Sequence, residues 1–181
     1  MEDVNERLME AAEGGAEAEL KALLMDSGCN ALATDKWGWT ALMWAAYGGS
    51  EACVRLLLPV SYTRAKDENE QTALMWASRY GHDACVRLLL PVSDVLATCS
   101  GGLTALMWAA AYGHKGCVQL ILPVSNALGE GCQTASNCAH DHGHESVAYF
   151  IDAYILAQSE RDFIEAAAGS GAPNKTSGPR V

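Results

Sequence analysis

The chain has 181 residues with 12 basic and 22 acidic side chains. Its formal charge of −10 argues against nucleic acid and anionic membranes as partners, because both require a basic surface. No uninterrupted apolar run is long enough for a bilayer-spanning helix, and residues 1–15 lack the apolar core of a signal peptide, so we expect no cleaved secretory signal.

A seven-residue phrase recurs along the chain and divides it into units. TALMWAA at 40–46 returns as TALMWAS at 72–78 and as TALMWAA at 104–110, a spacing of 32 residues, and an eroded copy begins at Thr134. Such a period is typical of solenoids, in which stacked units bury apolar faces that one unit cannot bury alone. We predict units over 1–34, 35–66, 67–98, 99–128 and 129–157, a helical cap to 168, and a disordered tail over 169–181.

The first unit is predicted to contain two short amphipathic helices between residues 5 and 28. Its residues 7–12 align with residues 41–46 of the second unit. We expect its glutamates to form an acidic outer face, as is typical of a terminal repeat that faces water. These glutamates are Glu6, Glu10, Glu13, Glu17 and Glu19.

The third unit shows the elements that the central units share. Thr72 is suited to cap a first helix over residues 73–79, because its hydroxyl accepts from a free amide of the first turn. Gly81 ends that helix, since glycine adopts the left-handed conformation at low cost. A second helix follows His82 and stops before Pro91, which disfavours helical geometry at the residue before it.

Three of the seven cysteines, Cys53, Cys85 and Cys117, recur at the spacing of the units. A disulfide framework would not place one cysteine at the same position of every unit, whereas buried thiols that act as small hydrophobes would. We therefore predict buried, reduced thiols on the second helices and a cytoplasmic location.

The last unit lacks the terminating proline, so residues 145–158 are predicted to form a longer helix. We expect a separate final helical segment after Ser159, whose hydroxyl is suited to an N-cap. The inward stripe of the longer helix is predicted at Val147, Phe150, Ile151 and Tyr154.

Several of these motifs recur in phase and resemble those of the ankyrin-repeat family. The family motif T-P-L-H-x-A-A is similar to TALMWAA, its following G-H occurs at 81–82, 113–114 and 143–144, and its V-x-L-L-L is matched by VRLLL and VQLIL. The resemblance implies an all-α solenoid of stacked helix-loop-helix units with short hairpin-like loops. It also implies a non-catalytic protein-interaction module without a cofactor, which holds its partner in a concave groove and against its loop tips.

The resemblance places one tryptophan of each central unit at the variable position x of the motif, on the inner helix. Tyr80 and Tyr112 follow two of these tryptophans by four residues, one turn further on the same face. The rings are either anchors for a partner or fillers of the space between inner helices, and the sequence leaves both interpretations open. The candidate partner-binding residues are Trp44, Trp76, Tyr80, Trp108, Tyr112, Trp37, Trp39, Arg79, Tyr47 and His142.

The loop tips differ between units and form a second candidate surface. Such divergence is expected of a contact surface and equally of loops under no constraint. The differing residues are Lys36, Trp37 and Trp39 in the second unit, Glu68, Asn69 and Gln71 in the third, and Ser100, Gly101 and Leu103 in the fourth.

A cluster of cysteine and histidine in the last unit suggests an alternative function. Cys138 and His142 lie four residues apart on one predicted helix, and with Asp141 or Cys132 they could bind zinc in a small metal-dependent protein. No C-x-x-C or H-E-x-x-H spacing supports this alternative, and a Cys138–His142 nucleophile lacks an orienting third group. We predict no metal, no enzyme activity, and a monomer whose negative charge attracts basic or mixed protein partners.

Overall fold

The computed structural model describes residues 3–26, 28–125 and 130–169, with their side chains except those of residues 130–133 and 166–169. Within these ranges the chain forms ten α-helices and no β-strand, apart from one isolated bridge between Thr34 and Thr40. The helices are α1 Val4–Glu13, α2 Glu17–Leu24, α3 Ala41–Gly48, α4 Glu51–Leu57, α5 Ala73–Arg79, α6 Asp83–Leu89, α7 Ala105–Ala111, α8 Lys115–Ile121, α9 Glu130–Asp141 and α10 Glu145–Gly169.

Consecutive helices form five pairs that stack in chain order. The inner helices contact one another in the order α1, α3, α5, α7 and α9, and the outer helices α2, α4, α6 and α8 do the same, with α10 against α8. The core lies between the two rows, where Leu42, Leu57, Leu74 and Leu89 are almost fully buried. The predicted all-α solenoid of helix-loop-helix units is therefore confirmed.

Each central inner helix begins at the predicted threonine. The hydroxyl oxygen of Thr72 accepts from the backbone N–H of Met75 at 3.4 Å, and Thr40 and Thr104 make the same bond at 3.3 Å. Helix α6 ends at Leu89, and a single turn of 3-10 helix that contains Pro91 follows it. The threonine and proline signals act locally, which explains why they could be recognised in the sequence.

A glycine and a histidine connect each central repeat to the next one. Gly81 has a φ of +75°, and the imidazole of His114 from the following repeat lies directly over it. That imidazole donates from Nε2 to the carbonyl oxygen of Arg79 at 3.0 Å, and His82 donates to Tyr47 in the same way at 2.9 Å. The glycine is therefore required for its backbone conformation and also because the next repeat leaves no room for a side chain.

The cysteines at the repeat spacing lie buried on the outer helices, as predicted. Cys53, Cys85 and Cys117 are inaccessible to solvent and form no disulfide. Burial, with a smaller effect from the charge of Glu51, raises the pKa of the Cys85 thiol to about 11. Burial also raises the pKa of Cys117, whose thiol donates to Asp83 Oδ1 at 3.0 Å.

The C-terminal part of the stack is one continuous helix, so the predicted break at Ser159 is wrong. The Ser159 hydroxyl donates to the carbonyl oxygen of Ile155 one turn earlier and caps no helix. Val147 and Ile151 are buried against the preceding pair, whereas Phe150 and Tyr154 are half-buried at its edge. Helix α10 includes Gly169, and the rest of the predicted tail lies outside the described residues.

Candidate functional site

Within the described residues, three hairpin tips project beside the inner helices, and two of them are built around an aspartate. In the second repeat, Asp35 Oδ1 accepts from the backbone N–H groups of Trp37 and Trp39, both at 2.9 Å. In the third repeat, Asp67 Oδ1 accepts from Asn69 and Gln71, both at 2.8 Å. The carboxylate thereby fixes the tip, and we call the surface formed by the inner helices and the hairpin tips the groove face.

The other carboxylate oxygen of each aspartate holds a tryptophan of the inner helix. Asp35 Oδ2 accepts from Trp44 Nε1 at 3.2 Å, and Asp67 Oδ2 accepts from Trp76 Nε1 at 3.1 Å. Sequence analysis missed both aspartates, although they recur at the repeat spacing, nine residues before the tryptophans that they bind. The indole rings are therefore fixed by hydrogen bonds as well as by packing.

The fourth repeat has Cys99 where the two preceding repeats have aspartate. Its hairpin has the same backbone pairing, since the N–H of Cys99 donates to the carbonyl oxygen of Leu103 at 3.0 Å. Trp108 Nε1 is buried and has no hydrogen-bond partner within the described residues. The cysteine therefore keeps the turn but leaves the indole N–H without an acceptor.

Trp39, in the hairpin of the second repeat, inserts between two inner helices. Its ring centroid lies 4.4 Å from that of Trp44 and 4.2 Å from that of Trp76. Tyr47 packs against the same group and reaches Tyr80 at 4.8 Å. Trp76 is only 7% exposed as a result, so most of its ring fills the space between repeats, whereas Trp44 is half-buried.

Arg79 continues this row of rings toward the fourth repeat. Its guanidinium lies 4.7 Å from the ring centre of Trp108 and 5.5 Å from that of Tyr112. It also lies 5.4 Å from Trp76 and 5.8 Å from Tyr80. The cation therefore joins two aromatic pairs by cation–π contacts and occupies the position that Tyr47 fills one repeat earlier.

The exposed part of the groove face is also aromatic. Trp37, Tyr80 and Tyr112 are 49%, 42% and 45% exposed, and they lie on three successive repeats. His142 occupies the position of Tyr80 and Tyr112 in the fifth repeat, where it is exposed and its Nδ1 lies 2.8 Å from the carbonyl oxygen of Cys138. The predicted residues thus fall into a packed group and an exposed group, and the exposed group comprises one hairpin residue, Trp37, and the residues at the ends of three inner helices.

Two adjoining cavities lie at the first end of the groove face. One of about 580 Å³ lies between α1 and the hairpin of the second repeat and is lined by Glu6, Glu10, Glu13, Trp37 and Trp44, among others. The next, of about 350 Å³, shares Trp37 and Trp44 with it and extends to Glu68 and Trp76.

The five glutamates predicted to form the acidic face of the first repeat are exposed, as expected. Three of them, Glu6, Glu10 and Glu13, however, line the cavity and do not only cover the outer end of the stack. The alignment of residues 7–12 with residues 41–46 already placed Glu10 beside the tryptophan positions, and this signal was overlooked.

Family comparisons identify the repeats independently of the structure. A model of three copies of ankyrin repeats matches residues 8–99, and a model of a single ankyrin repeat matches residues 101–128. The chain belongs to the ankyrin-repeat family. No curated protein matches it.

The ankyrin fold continues beyond the residues that the family models match, since α9 and α10 pack onto α7 and α8 as a fifth pair. The metal alternative assigned to this pair has no support in the described side chains, where no cluster of three or more His, Cys, Asp and Glu side chains could hold an ion. The side chain of Cys132 lies outside them.

The pKa of Cys138 in the fifth repeat also argues against thiolate chemistry. Burial and the charge of Asp141 raise the pKa of the Cys138 thiol, which disfavours the thiolate that a metal ligand or nucleophile requires. The Nδ1 atom of the neighbouring His140 lies 2.8 Å from Glu145 Oε2.

None of the helices in the described ranges combines the length and hydropathy of a bilayer-spanning helix.

Proposed function

We propose that residues 1–168, comprising the five predicted units and the helical cap, form a monomeric, cytoplasmic recognition module that binds a partner protein without catalysis. The partner contacts the groove face, that is, the inner helices and the hairpin tips. The observation that carries this proposal is that successive repeats expose aromatic rings: Trp37 at a hairpin tip, and Tyr80 and Tyr112 at the ends of inner helices. An adaptor or scaffold of this kind needs no cofactor.

The packing beneath the exposed rings supports this assignment. Trp39 packs against Trp44 and Trp76 with rings tilted by 42° and 43°, and Tyr80 lies 6.2 Å from Trp76 with nearly parallel rings. Rings held in this way lose little conformational entropy on binding. Central aromatic side chains on a rigid surface are the commonest anchors of protein interfaces.

The state of the cysteines supports the cytoplasmic part of the proposal. Cys53, Cys85 and Cys117 are fully buried and unpaired on neighbouring outer helices. A protein that matures in an oxidising compartment would gain little from three such thiols, whereas a reducing compartment preserves them as small hydrophobic groups.

The proposal is tested with peptides selected for binding from a random display library. The double variant Tyr80→Ala/Tyr112→Ala should weaken the selected peptides by roughly 30-fold or more, because hot-spot aromatics typically contribute about 2 kcal/mol. Its melting temperature should remain close to that of the parent, since both rings are more than 40% exposed. Affinity is measured by fluorescence anisotropy and stability by circular dichroism.

Tyr62→Ala is the matched control. Tyr62 is 63% exposed, lies in the loop after α4, and contacts none of the rings of the groove face. Peptides that bind the double variant as tightly as the parent would contradict the proposal. Equal losses in Tyr62→Ala and in the double variant would do so as well.

A further inference from the structure

We propose that the cavity at the first end of the groove face binds a basic side chain, arginine or lysine, of an extended partner segment. This inference rests on the proposed function, because it assigns a chemistry to one end of the same surface. The cavity has a volume of about 580 Å³, within the range of sites that enclose a side chain or small ligand.

The glutamates of α1 give this cavity, which we call the acidic cavity, its negative charge. Glu6, Glu10 and Glu13 are spaced so that all three lie on one face of the helix, and all three line the cavity. In the alignment of the repeats, Glu10 occupies the position of Trp44, and Glu13 occupies that of Tyr47. The first repeat thus has a carboxylate where the next three repeats have tryptophan, and another where the second repeat has tyrosine.

These carboxylates are available to a ligand. None of Glu6, Glu10 and Glu13 has a side-chain hydrogen bond or ion pair within the described residues, whereas Glu19 on the neighbouring helix is paired with Arg7 at 2.9 Å. Like charges on adjacent turns of a helix repel one another. A cation placed between them would relieve that repulsion and gain charge-assisted hydrogen bonds.

The opposite wall of the cavity is suited to the same cation. Trp37 and Trp44 meet edge to face with centroids 6.4 Å apart, and the ammonium of Lys36 lies 4.2 Å from the ring centre of Trp37. Lys36 also lines the cavity, so a partner's cation would have to displace its ammonium from the Trp37 ring. Carboxylates on one wall and indole rings on the other are the two groups that bind guanidinium and ammonium best.

The second, adjoining cavity indicates the direction in which the bound partner segment runs along the groove face. It shares Trp37 and Trp44 with the acidic cavity and leads past Glu68 to Trp76, parallel to the direction in which the repeats stack. An extended segment with a basic residue in the first cavity would place its following residues along these rings. The formal charge of −10 would assist the approach of such a segment.

The test uses three acetylated eight-residue Gly/Ser peptides that carry two arginines, two citrullines or two glutamates. Citrulline keeps the shape of arginine but has no charge. Binding is followed at low ionic strength through the indole N–H signals of the five tryptophans in nitrogen-15 NMR spectra. We expect the arginine peptide to shift the signals of Trp37 and Trp44 but not that of Trp108, and to bind roughly tenfold more tightly than the citrulline peptide.

Two charge-matched double variants separate the pocket from the overall field of the protein. Glu10→Gln/Glu13→Gln should weaken the arginine peptide roughly tenfold. Glu17→Gln/Glu165→Gln removes the same charge from exposed positions outside the cavity and should leave the affinity within roughly twofold of the parent. Equal losses in both variants, or equal affinities for arginine and citrulline, would overturn the inference.

Failure of the inference can be distinguished from failure of the proposed function. If the arginine peptide does not bind but library peptides bind in a manner that depends on Tyr80 and Tyr112, the inference is wrong and the recognition function stands. If no library peptide depends on these tyrosines, the proposed function itself is wrong.

Discussion

Cys99 is the residue at which the hydrogen bonding of the repeats is interrupted. It is 7% exposed, nearly the same as Asp67 at the equivalent position, which is 6% exposed. Asp67 accepts two loop amides and the indole N–H of Trp76, whereas the indole N–H of Trp108 has no acceptor within the described residues. A buried donor without a partner typically costs about 1–3 kcal/mol.

Replacing Cys99 with the aspartate of the two preceding repeats should therefore stabilise the protein. Cys99→Asp is expected to raise the free energy of unfolding by about 1 kcal/mol, because one carboxylate would bind the Trp108 indole and the amides of the hairpin. The reciprocal Asp67→Cys should lower it by about 1–3 kcal/mol, since the indole of Trp76 would lose its acceptor. Urea unfolding followed by circular dichroism measures both, and a Cys99→Asp protein less stable than the parent would show that the site cannot accept a charge.

At the scale of the element, the junction between repeats depends on the glycine before each histidine. Gly81 and Gly143 occupy the same motif position and have φ values of +75° and +78°. A Cβ atom at Gly81 would lie 2.5 Å from the ring of His114, whereas at Gly143 nothing among the described residues lies within 4 Å. The two glycines thus share the backbone requirement but differ in the contact with a following repeat.

This pair allows the two causes to be measured separately. Gly143→Ala should destabilise the protein by about 1–2 kcal/mol, the cost of a left-handed conformation for a residue with a Cβ atom. Gly81→Ala should cost about 1 kcal/mol more, because the His114 ring must move and lose its hydrogen bond to the carbonyl of Arg79. Thermal and urea unfolding test this order, and equal losses at both positions would mean that the histidine moves aside freely.

The sequence predicts those parts of the elements that depend on local signals. Thr72, Gly81 and Pro91 act within a few residues, so the ends of α5 and α6 could be inferred correctly. Ser159 misled the prediction because a serine hydroxyl can cap a helix or bond back to the carbonyl one turn earlier, and the sequence does not distinguish the two.

The candidate site was predictable only in part, because its contacts join different repeats. The pairing of Trp76 with Tyr80 follows from helical spacing. The insertion of Trp39 between Trp44 and Trp76 depends on the path of a hairpin relative to the next helix, and no local signal reports it. For Glu10, the alignment of the repeats gives its place in the tryptophan row, but the cavity that it lines also depends on the hairpin that faces it.

At the scale of the whole molecule, the rings that pack the repeats together adjoin the exposed rings that we propose for recognition. Each repeat contacts mainly its neighbours, so the packing of a central repeat holds both halves of the solenoid together. The buried ring of Trp76, for example, packs against the exposed ring of Tyr80. Charge changes along the groove face as well, from the glutamates of α1 to the guanidinium of Arg79.

The relative position of two tryptophans on the groove face leads to a prediction about the whole molecule. Trp76 is 7% exposed in the central repeat, and Trp37 is 49% exposed at a hairpin tip. Trp76→Ala should lower the free energy of unfolding by about 3–5 kcal/mol, because it opens a cavity beside Trp39 and leaves Asp67 Oδ2 without its donor. Trp37→Ala should lower it by less than about 1 kcal/mol.

Binding of the arginine peptide should depend directly on Trp37 and not on Trp76, which is the reverse of the order expected for stability. Trp37→Ala should fold like the parent but lose affinity for the arginine peptide, since Trp37 forms a wall of the acidic cavity. Trp76→Ala should lose peptide binding only to the extent that the stack unfolds, and the loss should be reversed by cooling or by trimethylamine oxide, which favours the folded state. Urea unfolding and anisotropy on the same samples measure both quantities. A Trp76→Ala protein that unfolds at the parent's urea concentration would show that the ring is not part of the packing between repeats, and a Trp37→Ala protein with full affinity would remove the indole wall from the binding site.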